Sequence, residues 1–131
     1  IMINDYRVWT ADYNNLLVQN VDTLPTTQSG NFTHDASSAS IGGYTLSTTS
    51  AVTVSIHNLE SGMMGTIFLE IGASNPADLD AAAYSDAGST SITVVEMNTP
   101  ANVANKATLM TYTCVNNGTT TQVYVSYSQE P

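Results

Sequence analysis

At 131 residues the chain has the length of one domain, enough to bury a core of its own without disulfides. Arg7 and Lys106 are its only cations against eleven carboxylates, and the net charge of −9 argues against nucleic-acid binding and against an anionic membrane surface, both of which recruit basic side chains. No apolar run approaches the roughly 18–20 residues that span a bilayer, and the single Cys114 leaves no partner for an intrachain disulfide.

The first stretch, residues 1–24, differs in texture from the rest. Its start, Ile1-Met2-Ile3-Asn4, lacks the basic and apolar regions of a signal peptide. The run Asp5 to Tyr13 holds the only Trp and the only Arg, and Leu16-Leu17-Val18 follows. Its periodicity is compatible with a strand pair or a short helix. Two roles are open: a docking or adaptor segment that presents Trp9 and Tyr13 to a neighbour, or the first edge strand. Leu24-Pro25 closes it, since proline ends regular pairing, and residues 25–131 form the expected β-domain.

Thr26 to Ser40 is rich in Ser, Thr, Asn and Gly and reads as a loop. Gly42-Gly43 turns into a strand over Tyr44–Thr48. In Ala51–Asn58, Val52, Val54 and Ile56 alternate with Thr53, Ser55 and His57, the mark of a half-buried strand. Glu60-Ser61-Gly62 is a turn. Gly65 to Ile71 places Ile67, Leu69 and Ile71 on one face, and Phe68 on the other with Thr66 and Glu70. An apolar residue on that outer face implies a cover, a second sheet or a second subunit. Gly72 to Ser91 reads as a long loop, with one or two helical turns compatible with Ala77–Tyr84. Ser91–Met97 is the next strand.

The last stretch carries the plainest signal. Met110, Tyr112 and Cys114 alternate with Thr111, Thr113 and Val115; after Asn116-Asn117-Gly118, Val123, Val125 and Tyr127 alternate with Tyr124 and Ser126. Period-two alternation around Asn-Gly predicts a β-hairpin. The whole is an expected all-β chain: a β-sandwich or jelly roll of about six to eight short antiparallel strands with an N-terminal extension. No internal repeat of 20–50 residues is visible.

Catalytic motifs are missing. His34-Asp35 sits in the expected loop and offers a base with no nucleophile elbow or triad around it. His57 projects from the polar side of a strand. Cys114 reads as a buried small hydrophobe. Asp78, Asp80 and Asp86 are the one carboxylate cluster, a candidate calcium site by ligand type that does not match an EF-hand loop; no other cofactor is expected. The seven tyrosines offer core, interface or sugar-stacking surfaces.

Three stretches resemble a small β-domain recurrent in phage tail and head fibres. They are Thr45–Thr48 running through Val52–Leu59 to Gly62–Ile71; Ser91–Val95; and Ala104–Tyr112 with Asn117-Gly118-Thr119 and Val123–Val125. The resemblance covers roughly residues 44–128. It departs from the usual pattern at Asn116-Asn117-Gly118, where Asp-Gly is common, and at Cys114. It implies a non-enzymatic structural protein of the virion surface or another extracellular setting. The implied partners are copies of itself, as a homotrimer, other virion proteins and a cell-surface receptor or glycan. Phe68 and Tyr124 join Trp9 and Tyr13 as candidate interface residues. An extracellular filament built by N-terminal strand exchange and a carbohydrate-binding module are the alternatives.

Overall fold

The computed structural model describes residues 26–131, which form nine strands and no helix. They are β1 (Thr26–Gln28), β2 (Phe32–Asp35), β3 (Ile41–Leu46), β4 (Val52–His57), β5 (Met64–Ile71), β6 (Leu79–Tyr84), β7 (Ser91–Glu96), β8 (Ala107–Asn116) and β9 (Thr121–Gln129). The all-β expectation stands. The sandwich or jelly roll of antiparallel strands does not. All nine strands belong to one continuous sheet in the order β1-β3-β5-β8-β9-β7-β6-β4-β2.

The chain alternates between two faces. β1, β3 and β5 stack in parallel on one face; β2, β4 and β6 stack in parallel on the other. This is a β-solenoid: each coil contributes one strand to each face, and both faces close on one core. Thr26 lies beside Tyr44 and Tyr44 beside Leu69, while Phe32 lies beside Val54 and Val54 beside Ala81. These spacings are unequal, which is why no sequence repeat announces the coils.

The end of the solenoid is closed by a change of direction. β8 runs antiparallel to β5, and β9 antiparallel to β8. β7 starts antiparallel to β6 at Ser91 and Ile92, then crosses to run parallel to β9 from Thr93 to Glu96, joining the two faces. Beyond that ladder the Asn98 amide takes over: its Nδ2 donates to the Tyr127 carbonyl at 2.7 Å and its Oδ1 accepts from the Tyr127 N–H at 2.8 Å.

The inward rows are those the alternation marks. Val52, Val54 and Ile56 face Ile67, Leu69 and Ile71, with Met110, Tyr112, Cys114, Val123 and Val125 completing the core; each is at most 1% exposed. The hairpin forms, but its connection is the four-residue loop 117–120. There Asn117 Oδ1 accepts from the Thr119 and Thr120 N–H groups at 3.0 Å, and Gly118 takes a positive φ of 95°.

Three expectations are overturned. The loop expected over Thr26–Ser40 contains β1 and β2, because Phe32 and His34 turn inward and the polar residues between them face out. The helical turns allowed for Ala77–Tyr84 are strand β6: pairing of Val52–Ile56 with Leu79–Ala83 overrides the helix preference of three consecutive alanines. Antiparallel pairing fails for β1 to β6, where gaps of three to seven residues carry the chain to the opposite face instead of turning it back beside itself.

Within one face, Gly65 on β5 is closely hemmed in by the residue preceding β3 and by Tyr112, its partner on β8. A Cβ at Gly65 would lie 2.3 Å from the Ser40 carbonyl oxygen and 2.3 Å from the Tyr112 hydroxyl. That carbonyl is fixed, accepting from the Thr66 N–H at 2.9 Å. Gly65→Ala should therefore destabilise the fold by about 1–3 kcal/mol, the usual range for overpacking. Gly30→Ala, which meets nothing within 4 Å, should stay within about 0.5 kcal/mol. Urea unfolding midpoints of the two variants measure this, and equal midpoints would contradict the packing described.

Candidate functional site

Two surfaces and one buried layer bring together the residues with chemistry. The first surface is the outward side of the β5-β8-β9 face. Phe68 lies beside Leu109, and Leu109 beside Ser128; Tyr124 lies between Val95 and Thr113. Leu109, Val115, Tyr124 and Met64 are exposed, and Phe68 is half-buried. Between the apolar positions run threonines and serines, including the Thr111–Ser126 hydroxyl pair at 2.6 Å. The expected interface residues Phe68 and Tyr124 thus share one face, two strands apart. Trp9 and Tyr13 lie outside the described residues.

The second surface is a groove of about 530 Å³ between the turn after β4, the β6–β7 connection and the tip of the β8–β9 hairpin. Among the described residues that line it, seven are Ser or Thr, Leu59 and Ile92 are apolar, and Glu60 is the one charged residue. Sequence reasoning missed it, because the three contributing segments are each an ordinary polar turn and only the fold brings them together.

The buried layer centres on His34, which is fully buried. Its Nε2 lies 2.8 Å from the Ala39 carbonyl, which can only accept, so Nε2 carries the proton. In the neutral ring, Nδ1 then accepts from the Tyr44 hydroxyl at 2.9 Å. The expected loop histidine beside Asp35 is thus a core residue, with both ring nitrogens engaged in structural bonds. It stacks edge-on to Tyr44 and tilts toward Tyr112, whose ring centroid is 6.2 Å away. Burial pushes the Tyr112 hydroxyl up to about 12 and also raises the Cys114 thiol. Tyr127 is raised as well, first by burial and then by Glu96, to whose Oε1 its hydroxyl donates at 3.2 Å. His57 packs its ring edge-to-face on Tyr84 at 4.9 Å and covers Gly88.

The candidate calcium ligands are not assembled. Asp78 and Asp80 lie at the start of β6 and Asp86 beyond its far end. Asp78 Oδ1 accepts from the Leu79 N–H at 2.9 Å. Asp86 organises the turn into β7, accepting from the Ser89 and Thr90 N–H groups at 2.7 and 2.9 Å; these bonds hold it down to about 2. Among the described residues no group of three or more His, Cys, Asp or Glu side chains converges to hold a metal.

Asp86 belongs to a stack of corner residues. Asp35 turns the first coil, Asn58 the second and Asp86 the third. The Ala36 N–H donates to the His57 carbonyl at 3.0 Å, and the Asn58 N–H to that of Asp86 at 3.2 Å. Asn58 Nδ2 donates to Asp35 Oδ1 at 2.9 Å, and Asn58 holds the left-handed φ of 60° that asparagine tolerates. Asp35 also accepts from the Ser37 hydroxyl at 2.6 Å, from the Ser37 N–H, and from the Ser38 hydroxyl.

No family model, curated protein or solved structure matches this chain.

The Ser37 hydroxyl, then Asn58, hold the Asp35 carboxyl well below the usual carboxylate range. A carboxylate with a depressed folded value stabilises above its unfolded value, near 3.9, and that contribution is lost as pH falls through the folded value. Asp35→Ala should cost on the order of 1–2 kcal/mol at pH 7. The gap between this variant and the parent should narrow steadily below about pH 4. Thermal melts from pH 7 down to pH 2 check it; a gap that stays constant with pH would show that the ionised carboxylate is not what holds the corner.

Proposed function

We propose that the chain is a non-enzymatic structural module of a virion appendage, a fibre or decoration domain that assembles with copies of itself as a trimer at the virion surface. One observation carries the reading: the outward β5-β8-β9 face, where Phe68, Leu109, Val115 and Tyr124 stand among hydroxyl side chains with Glu70 at the margin. Such a face loses little when packed against a copy of itself, because few like charges meet and few charges must be desolvated. The rigidity of stacked coils and the resemblance of residues 44–128 to fibre domains support the same reading. So does the engagement of His34, the most reactive-looking buried side chain, in two structural hydrogen bonds. Other virion proteins and a host-surface receptor are the partners this role implies, with residues 1–24 as the segment that attaches to a neighbour.

Sedimentation of the full chain tests it. A discrete trimer is expected, and the double substitution Phe68→Asp with Tyr124→Asp should convert it to monomer while the circular-dichroism melt of the monomeric core is retained. A monomer at all concentrations would overturn the proposal. Open-ended polymers lost on deleting residues 1–24 would replace it with the strand-exchanged filament.

A further inference from the structure

We infer that the groove at the closed end of the solenoid binds a neutral saccharide through its polyhydroxylated edge, with Glu60 as the anchoring acceptor. This rests on the appendage reading above and supplies it with a receptor chemistry and a place to bind. At about 530 Å³ the groove falls within the size range of small-ligand sites. Its apolar members, Leu59 and Ile92, are 1% and 9% exposed, so they close the base of the groove and leave the hydroxyl walls to make the contacts.

The polar walls are oriented, not merely polar. Ser61 Oγ accepts from the Asn116 N–H at 2.9 Å, and Thr121 Oγ1 accepts from Asn116 Nδ2 at 2.9 Å. Both hydroxyls therefore have their O–H left to donate. The Thr90 hydroxyl donates to Asp86 Oδ2 at 3.0 Å, leaving its oxygen to accept. Ser85, Ser91, Thr93 and Thr120 add hydroxyls that do either. Fixed donors beside fixed acceptors match a vicinal diol, whose two hydroxyls each need one of both. The Glu60 carboxylate completes this as a pure acceptor, the stronger kind of partner for a sugar hydroxyl.

Charge sets the specificity. Among the described residues Lys106 is the one Lys or Arg, and it does not line the groove, while Glu60 does. The Glu60 carboxylate disfavours a sialylated or sulfated sugar. The position also suits display: no lining residue belongs to β1 or β2, so the groove lies toward the β7–β8–β9 end of the fold. With no aromatic among its described lining residues, the site should be weak for one copy and gain from several copies in an assembly.

The test is calorimetric or chemical-shift titration of the full chain with a panel of neutral oligosaccharides of glucose, galactose and N-acetylglucosamine, plus a sialylated counterpart. Saturable binding of at least one neutral member is expected, with the sialylated sugar weaker. Glu60→Ala should weaken it about tenfold, as expected for a lost hydrogen bond to a charged group, and adding Ser91→Ala should weaken it further. Both residues are exposed, so melting temperatures should hold. Failure of every neutral sugar to saturate, an unchanged affinity in Glu60→Ala, or equal binding of the sialylated sugar would overturn the inference. Sedimentation of the same samples separates the two readings. Trimers that bind no sugar remove this inference alone; sugar-binding monomers remove the trimer and leave the site.

Discussion

The constraint on which this molecule depends is the corner. A solenoid coil must turn from one face to the other twice, and each turn takes backbone N–H and C=O groups out of a strand ladder where they would otherwise go unpaired. Here the corners solve this by stacking on one another. On one side the bonds run from Ala36 to His57 and from Asn58 and Leu59 to Asp86 and Tyr84. On the other they run from Ser47 to Gln28, from Gly72 to Leu46 and from Asn105 to Gly72. Side chains fill the remaining places, as when Asn31 Oδ1 receives the Thr53 N–H at 2.8 Å. Each coil thus caps the turns of the next, which makes the turns as cooperative as the strands.

The narrowness of the core follows from the corners. Two faces joined by such short turns leave room for one shared layer of side chains, and polar ones are admitted only with partners. His34 is the example: it reaches Tyr44 and Ala39 across that layer while Gly42 keeps clear of its ring, a Cβ there lying 2.6 Å from Nδ1. Beside it, Tyr112 lies against its ladder partner Gly65, where the missing Cβ makes room for the ring. The closing hairpin then has a mechanical role. Its antiparallel strands let β7 pass from one face to the other, so the sheet folds over at this end and its ladder continues from β9 through β7 to β6.

Much of this was legible and some was not, for reasons that can be named. Strands β4, β5, β8 and β9 carry unbroken alternation of branched or aromatic residues, and their inward rows were readable one residue at a time. β2 was hidden because one of its two inward residues is a histidine, which a periodicity argument scores as polar. β6 was hidden because Ala81-Ala82-Ala83 has no strand preference of its own and takes its form from β4. The solenoid itself was hidden because coils of unequal length leave no repeat. Alternating strands joined by short polar segments describe a sandwich and a solenoid equally well. The difference lies in whether the chain returns beside the strand it left, and no local signal carries that. The groove was hidden for the related reason that Glu60, Ser91 and Thr120 become neighbours only once the corner and hairpin tip are placed.

The scarcity of charge ties the fold to its surface chemistry. In a solenoid every outward position lies directly above and below another outward position, about 4.8 Å away in the next coil. Like charges in those rows would repel along the whole stack, whereas threonine and serine rows do not, and they suit strand backbones. A surface chosen for stacking is therefore a surface of hydroxyls. Asp35 and Asp86 are placed where stacking makes use of them, at the corners, while Glu70 and Asp80 stand in outward rows beside Thr45 and Thr53, not beside another carboxylate. Glu60 is the exception that stands alone among hydroxyls in a concavity. The requirement that coils tolerate one another internally thus leaves the outside nearly neutral along its sheet face and hydrogen-bonding in its groove, which are the properties that association with copies and capture of an uncharged sugar each need.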